Sequence, residues 1–523
     1  MQVSNIARTL NHALYTKTFL IGAFILVVCL NLGIPPLVDV DEGAFSEATR
    51  EMVASGNYAA TYLDGEPRYD KPILIYWFQS SAVKVLGVNE WAFRLPSAIF
   101  AALWLIALFG FAREQIGKNR AHVAAVSLVS LLLFGLVARA AFADALLNLL
   151  LSLALFDIYR YYKSPKQTLI FRVYLWMGLG MLTKGPVAVA IPLVTTFLFF
   201  LWQQKPKDMI KAFFHPIGWL IFLLILLPWL YLVYQDQGLG FFKGFLIDHN
   251  LQRFTQTKEG HGGKIYYYLL IFPLIILPFS FLLKKPFLAF KAKRQPELSK
   301  FLWLWMVIVL VIFSFSDTQL PHYVMNATVP FVILLAMNSQ RYRKRSYYFL
   351  PLLFAALLFL ALPFFGQYFD GKAPTHVAEM LQGTMDAFPY YYYLLALTLF
   401  LIYGFLAFCN KLPLWPSLAL AGIAQSIFIY YALFPALAAL QQNPIKEAAM
   451  LAKQYNANVV RFNITHPSFS VYREAITEKR LPKASEWVLT RAGQTKKLQA
   501  EIAPLQLLPI YANGGIRLFE VSN

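Results

Sequence analysis

Residues 18–42 read TFLIGAFILVVCLNLGIPPLVDVDE. From Thr18 to Ile34 no side chain is charged, and Asp39, Asp41 and Glu42 follow soon after. An uncharged apolar run of this length approaches the roughly 20 residues that cross a bilayer as a helix. Arg8 and Lys17 precede it, as in a secretory leader, but no small-residue cleavage site follows. The run is therefore read as an uncleaved first span.

Working outward, the same pattern recurs along the chain. Apolar segments at 18–34, 91–111, 121–138, 144–161, 168–182, 186–202, 214–234, 265–283, 301–316, 323–339, 347–366, 389–409 and 412–434 predict about thirteen transmembrane helices. Composition agrees: of the 523 residues 58% are hydrophobic and only 14% charged, against about 25% charged in soluble domains. The net charge of +19 lies largely in short gaps, such as Arg113–Arg120, Lys205–Lys211 and Arg341–Arg345. Short Lys/Arg-rich loops stay in the cytoplasm. This predicts an inner-membrane protein with a cytoplasmic N-terminus and an outer (periplasmic) C-terminus. It argues against nucleic-acid binding, which needs a basic soluble face. Cys29 and Cys409 both sit in apolar segments, with no C-x-x-C pattern and so no disulfide or zinc framework.

The outer gaps are chemically richer. The first outer loop, 35–90, places Phe45, Ala48, Met52 and Val53 at helical spacing around Glu47, Arg50 and Glu51, as in an amphipathic helix on a membrane surface. Asp64-Gly65 marks a turn, and Pro72 to Leu86 reads as a second interfacial helix. A transmembrane domain over 1–435 is thus followed by a small α/β domain over 436–523, with a helix at Pro444–Tyr455 and strands at Val459–Phe462, Trp487–Thr490, Leu505–Ile510 and Ile516–Val521.

Candidate chemistry clusters on the outer side. Asp41 and Glu42 at the membrane boundary are plain interface residues, or else a base or metal ligand. Asp70-Lys71 in Tyr69-Asp70-Lys71-Pro72 offers a lysine that either snorkels or holds a phosphate as a point charge. Asp144 opens a span, where ionisable groups are expensive and tend to be functional. Its plainer reading is a pair with Arg139 or a favourable helix-start charge. Lys184, in a very short outer turn before Gly185-Pro186, runs against the charge bias. The 235–264 loop holds His249, Arg253 and His261, whose spacing matches no strong metal signature. Tyr323, after Leu320-Pro321-His322, is either an aromatic-belt residue or a hydrogen-bond donor to phosphate or sugar.

In order along the chain, Asp41-Glu42, Ser46–Met52, Ser55–Tyr58, Asp70–Trp77, Arg94-Leu95-Pro96, Asp144, Thr183–Pro186, His249–Phe254, Leu320–Tyr323 and Pro467–Tyr472 resemble the GT-C class of membrane glycosyltransferases. The likeness is to the bacterial branch related to protein O-mannosyltransferases and to the lipid A aminoarabinose transferases. It implies transfer of a sugar from a polyprenyl (undecaprenyl) phosphate carrier to an acceptor on the outer face, with no nucleotide cofactor. It implies that Lys71 and Arg253 hold the carrier phosphate near Tyr323, and that Asp41 and Asp144 face the active cavity. Some members place a divalent metal between the carboxylate at position 70 and a loop histidine, here His249 or His261. Two departures stand out: the aminoarabinose enzymes follow Asp-Glu with any residue and then Arg, where this chain has Gly43-Ala44, and they carry Glu-Lys-Pro where this chain has Asp70-Lys71-Pro72.

The physical case runs the same way. Cations, here Lys71, Arg253 and Lys184, must hold the leaving phosphate, in a cavity that excludes water. A hydroxyl acceptor needs a base, for which Asp41 with Glu42 beside it is the candidate, whereas a lipid phosphate needs none. A lipid A-like glycolipid acceptor is favoured over Ser/Thr of a protein. A secondary transporter would show paired half-repeats and mid-membrane charges, and neither is evident. A receptor or scaffold would leave the carboxylates dispensable.

Overall fold

The computed structural model describes residues 12–252, 263–283, 296–339, 346–368, 373–409 and 411–523. The protein is a multi-pass membrane protein. Each of the thirteen apolar segments carries helix, because backbone groups in lipid find partners only within the helix itself. Six helices among the described residues are long and apolar enough to cross alone: Glu90–Ile116, Pro216–His249, Glu297–Ser314, Ser346–Phe365, Tyr390–Phe408 and Leu414–Gln441. The predicted span 121–138 is broken into Lys118–Val129 and Leu132–Arg139, bent by 70°. Helix length therefore does not by itself fix the number of crossings at thirteen. The core between the helices is aromatic, with Phe111 stacked on Phe156 at 4.1 Å.

The first outer loop is held by one arginine. Arg94 donates to Glu42 through Nε (2.9 Å) and Nη2 (2.7 Å), and to the carbonyls of Leu32, Pro35 and Pro36. Glu42 also accepts the amides of Val38 and Ala141. Helix Asp41–Ser55 follows, then a hairpin of β1 (Tyr62–Leu63) and β2 (Glu66–Pro67), then helix Leu74–Leu86. The first helix differs from the surface helix expected: Glu47, Arg50 and Glu51 are buried, because its polar side faces the C-terminal domain instead of water.

That domain begins at helix Asn443–Gln454, since the last apolar helix continues to Gln441. Strands β3 (Val459–Arg461), β4 (Trp487–Arg491), β5 (Gln506–Asn513) and β6 (Ile516–Ser522) form a sheet of order β3-β4-β6-β5, parallel only between β3 and β4. Alternating side chains supply a core on each face: Val459, Leu489 and Leu518 on one, Val460, Val488 and Phe519 on the other.

Helix Pro467–Arg473 docks the domain onto the first loop. Ser468 donates its amide (3.0 Å) and hydroxyl to Asp39, and His466 pairs with the same carboxylate at 3.2 Å. The Tyr472 hydroxyl accepts the Leu37 amide and donates to Glu90. A Cβ at Gly43 would lie 1.9 Å from Asp39 Oδ1 and 2.7 Å from the Ser468 amide, so glycine there makes room for this clasp.

Candidate active site

Five segments converge on one cavity of 340 Å³, among whose lining residues are Asp70, Lys71, Asp144, Lys184, His249 and Tyr323. Asp144 opens helix Asp144–Lys163, and Lys184 closes helix Gln167–Lys184. Gly185, at φ +82°, ends that helix where any Cβ would strike the Phe245 ring, and the next helix starts at Val187. This tight reversal brings Lys184 Nζ to 2.6 Å from Asp144 Oδ1 and 5.2 Å from the Tyr323 ring centroid. Asp144 is 5% exposed and Lys184 15%, so the pair is screened little by solvent. Asp144 thus pairs with Lys184 and not with Arg139. The Arg139 guanidinium bonds the carbonyls of Val27, Val28, Leu30 and Asn31 and lies over Tyr430. In the cavity wall, Asn326 accepts from Trp305 and donates to Asn148, which donates to the Asp144 carbonyl, fixing the helix start.

The second pair is Lys71 Nζ and Asp70 Oδ2, at 3.3 Å. Asp70 also accepts from both Nε (2.6 Å) and Nη2 (3.0 Å) of Arg68. Burial opposes its ionisation, but Arg68 and then Lys71 outweigh this and hold the carboxyl well below the usual range. Arg68 was not foreseen. It reaches the Ala44 carbonyl at 2.5 Å and lies over Phe45. The clue was its place two residues before Asp70.

A neighbouring cavity of 220 Å³ is lined by Asp39, Asp41, Glu42, Arg94, Arg139 and Tyr430 among others, and shares His322 with the first. Asp41 therefore faces this second cavity and not the first. Burial lowers the His322 pKa in spite of the opposing pull of Asp144 and Asp41. Asp41 is exposed, in the first turn of its helix. Glu42, expected beside it as a catalytic group, is instead consumed by Arg94 and two amides, which makes it a structural anchor.

Of the other expected residues, Arg253 and His261 lie outside the described residues. Asp70 and His249 line the same cavity, but Asp70 already gives both oxygens to Arg68. Among the described residues these two do not build a metal site by themselves. The one group of three carboxylates among them close enough to share an ion is Glu47, Glu51 and Asp64, away from the cavity.

Residues 70–232 match the family described as dolichyl-phosphate-mannose-protein mannosyltransferase. The chain is 28% identical over 322 residues to the undecaprenyl phosphate-alpha-4-amino-4-deoxy-L-arabinose arabinosyl transferase of Shewanella sediminis, covering 60% of this chain and 58% of that protein. It is 29% identical over 324 residues to that of Yersinia pestis, covering 60% and 57%. The matched part thus spans under two thirds of these relatives. Among solved structures, ArnT from Cupriavidus metallidurans bound to undecaprenyl phosphate superposes with a TM-score of 0.81 at 18% identity, covering 96% of this chain and 97% of that one. The Archaeoglobus fulgidus oligosaccharyltransferase superposes at 0.54 with 12% identity, covering 96% and 74%. The likeness to GT-C enzymes read from the sequence is shown in the fold.

Proposed function

We propose that this GT-C-fold protein is an integral-membrane glycosyltransferase. It moves a sugar, by likeness to its relatives 4-amino-4-deoxy-L-arabinose, from undecaprenyl phosphate to a lipid A-type glycolipid. The reading includes a bacterial inner-membrane location, a cytoplasmic N-terminus and a periplasmic C-terminal domain, in line with the basic short loops. The observation that carries it is the pair of Lys–Asp couples, Lys71–Asp70 and Lys184–Asp144, on one cavity whose other walls are largely apolar, with Leu147, Leu151, Ile191 and Phe313 among them.

In the reaction the bond from sugar C1 to the carrier's phosphate oxygen breaks, its electron pair leaving with the phosphate, and an acceptor oxygen bonds to C1. Lys71 and Lys184 meet the negative charge that grows on the leaving phosphate. Asp144 and Asp70 hold those ammonium groups in place. Asp41 lies across His322, on the side from which an acceptor enters. A phosphate acceptor brings its own charge and loses no proton. A hydroxyl acceptor passes its proton to Asp41. The apolar wall keeps water from competing for C1.

Incubating purified protein with polyprenyl-phosphate sugars tests the reading: it expects release of free polyprenyl phosphate, and uptake of the sugar into sealed vesicles without release would favour a transporter instead. Lys71→Ala is expected to abolish release while the protein still inserts normally, and full activity in that variant removes the phosphate-holding role. Mass spectrometry of lipid A and of outer-side glycoproteins, with and without the gene, separates the glycolipid acceptor from the runner-up, Ser/Thr of a protein.

A further inference from the structure

A third cavity, of 300 Å³, lies at the opposite end of the same helices. It sits between helices Asp144–Lys163, Gln167–Lys184 and Val187–Trp202, at their ends away from Asp144 and Lys184. The short helix Pro206–Phe213 closes it. Tyr161, Tyr174, Met177, Phe200, Met209 and Phe213 are among its walls. Two of those tyrosines spend their hydroxyls on the closing helix and not on the cavity: Tyr161 bonds the Asp208 carbonyl at 3.3 Å and Tyr174 the Phe213 carbonyl at 2.5 Å. What remains is an apolar hollow with a pinned cover.

The cover carries two signals. Ile210, Phe213 and Phe214 line the hollow and are still 50%, 37% and 68% exposed, so the hollow stays open along the apolar side of its cover, as beside an interfacial helix. Around them stand Lys205, Lys207 and Lys211 against a single acid, Asp208. Lys205 Nζ lies 4.4 Å over the Tyr162 ring. Just beyond Phe214, His215 Nδ1 is buried without a hydrogen-bond partner among the described residues. An apolar hollow of this kind does not hold water, and exposed lysines on its cover at a membrane surface attract anionic headgroups.

We propose that this cavity binds an anionic glycerophospholipid, one acyl chain filling the hollow and the headgroup phosphate lying against Lys205, Lys207 and Lys211. The positive charge of the cover selects this occupant over a neutral lipid. The carrier lipid is excluded because its phosphate belongs to the Lys71 and Lys184 site at the other face. The exclusion of the carrier lipid rests on the proposed function; the site itself rests on the membrane-spanning fold.

The test is native mass spectrometry of the full chain in detergent, after incubation with equal amounts of phosphatidylglycerol and phosphatidylcholine carrying the same chains. The expected result is preferential retention of phosphatidylglycerol. Lys207→Gln and Lys211→Gln are each expected to reduce that preference roughly fivefold. Ala212→Phe, which fills the hollow, is expected to lower retention of both lipids. Met209→Trp serves the same purpose if that variant does not migrate as a single species on gel filtration. Equal retention of the two lipids by the unaltered protein overturns the proposal, as does unchanged retention in the filled variants. Lipid retention is read without donor, so a failure of the transfer reading would show separately, in polyprenyl phosphate release.

Discussion

Asp144 and Lys184 are 40 positions apart in sequence and 2.6 Å apart in space. Removing one partner of such a buried pair leaves the other's charge uncompensated, and in the proposed reaction that charge also faces the carrier phosphate. Lys184→Met is expected to slow polyprenyl phosphate release by about 10²-fold or more, the scale of losing one group that stabilises developing charge. Single-turnover release checks this, and an unchanged rate contradicts it. Asp41 and Glu42, adjacent in sequence, are expected to separate cleanly. Glu42→Ala strands Arg94 and is expected to destabilise the fold by about 3–5 kcal/mol, read as a lower unfolding midpoint in detergent. Asp41→Asn is expected to keep that midpoint and to slow transfer only to a hydroxyl acceptor. Sequence named both acids because their position at the membrane boundary is legible. It could not divide their roles, since Glu42's partner Arg94 lies 52 residues on.

The elements were readable wherever hydropathy alone decides, which is why each apolar segment became helix. Breaks were not readable, because distant groups satisfy the backbone there. At the 70° bend after Val129, the Leu132 amide donates to the Leu277 carbonyl, a partner that no local pattern reveals. Helix Asp41–Ser55 was legible as a helix, but its buried charged face was not. Glu47 pairs with Arg50 at 2.5 Å; burial, joined by the nearby acids Asp64 and Glu51, still pushes Glu47 up to about 8. The folded state then holds a proton that the unfolded chain releases above about pH 4.5. Stability from this group is full below the unfolded value and is lost as pH rises towards 8. Unfolding midpoints measured across that window are expected to fall with pH in the unaltered protein and to fall less in Glu47→Gln.

At the scale of the whole molecule, the C-terminal domain forms part of the site's support and is not an appendage. Asp64 receives Ser470 Oγ and pairs with Arg461 at 3.1 Å, while Glu51 caps the Asp64-Gly65 turn through two backbone amides. Together with the Asp39 clasp, these contacts set the loop that carries Asp41 and Lys71. Ser468→Ala combined with His466→Ala is expected to leave the helical bundle intact. The same double variant should raise proteolysis of the 35–90 loop and lower transfer, as limited digestion and a release assay would show. Strand positions in this domain were legible from alternating side chains, but its docking was not: His466 meets Asp39 across 427 positions of sequence, and no periodicity carries that information. The clasp also sets an order of events during synthesis. A ribosome has delivered Asp39, Asp41 and Lys71 long before it reaches Ser468, so the early loop waits unfastened while the later helices enter the bilayer. A transcript cut short between Gln441 and Ser468 would leave a fully inserted but unlatched chain, the kind of product that membrane quality-control proteases clear.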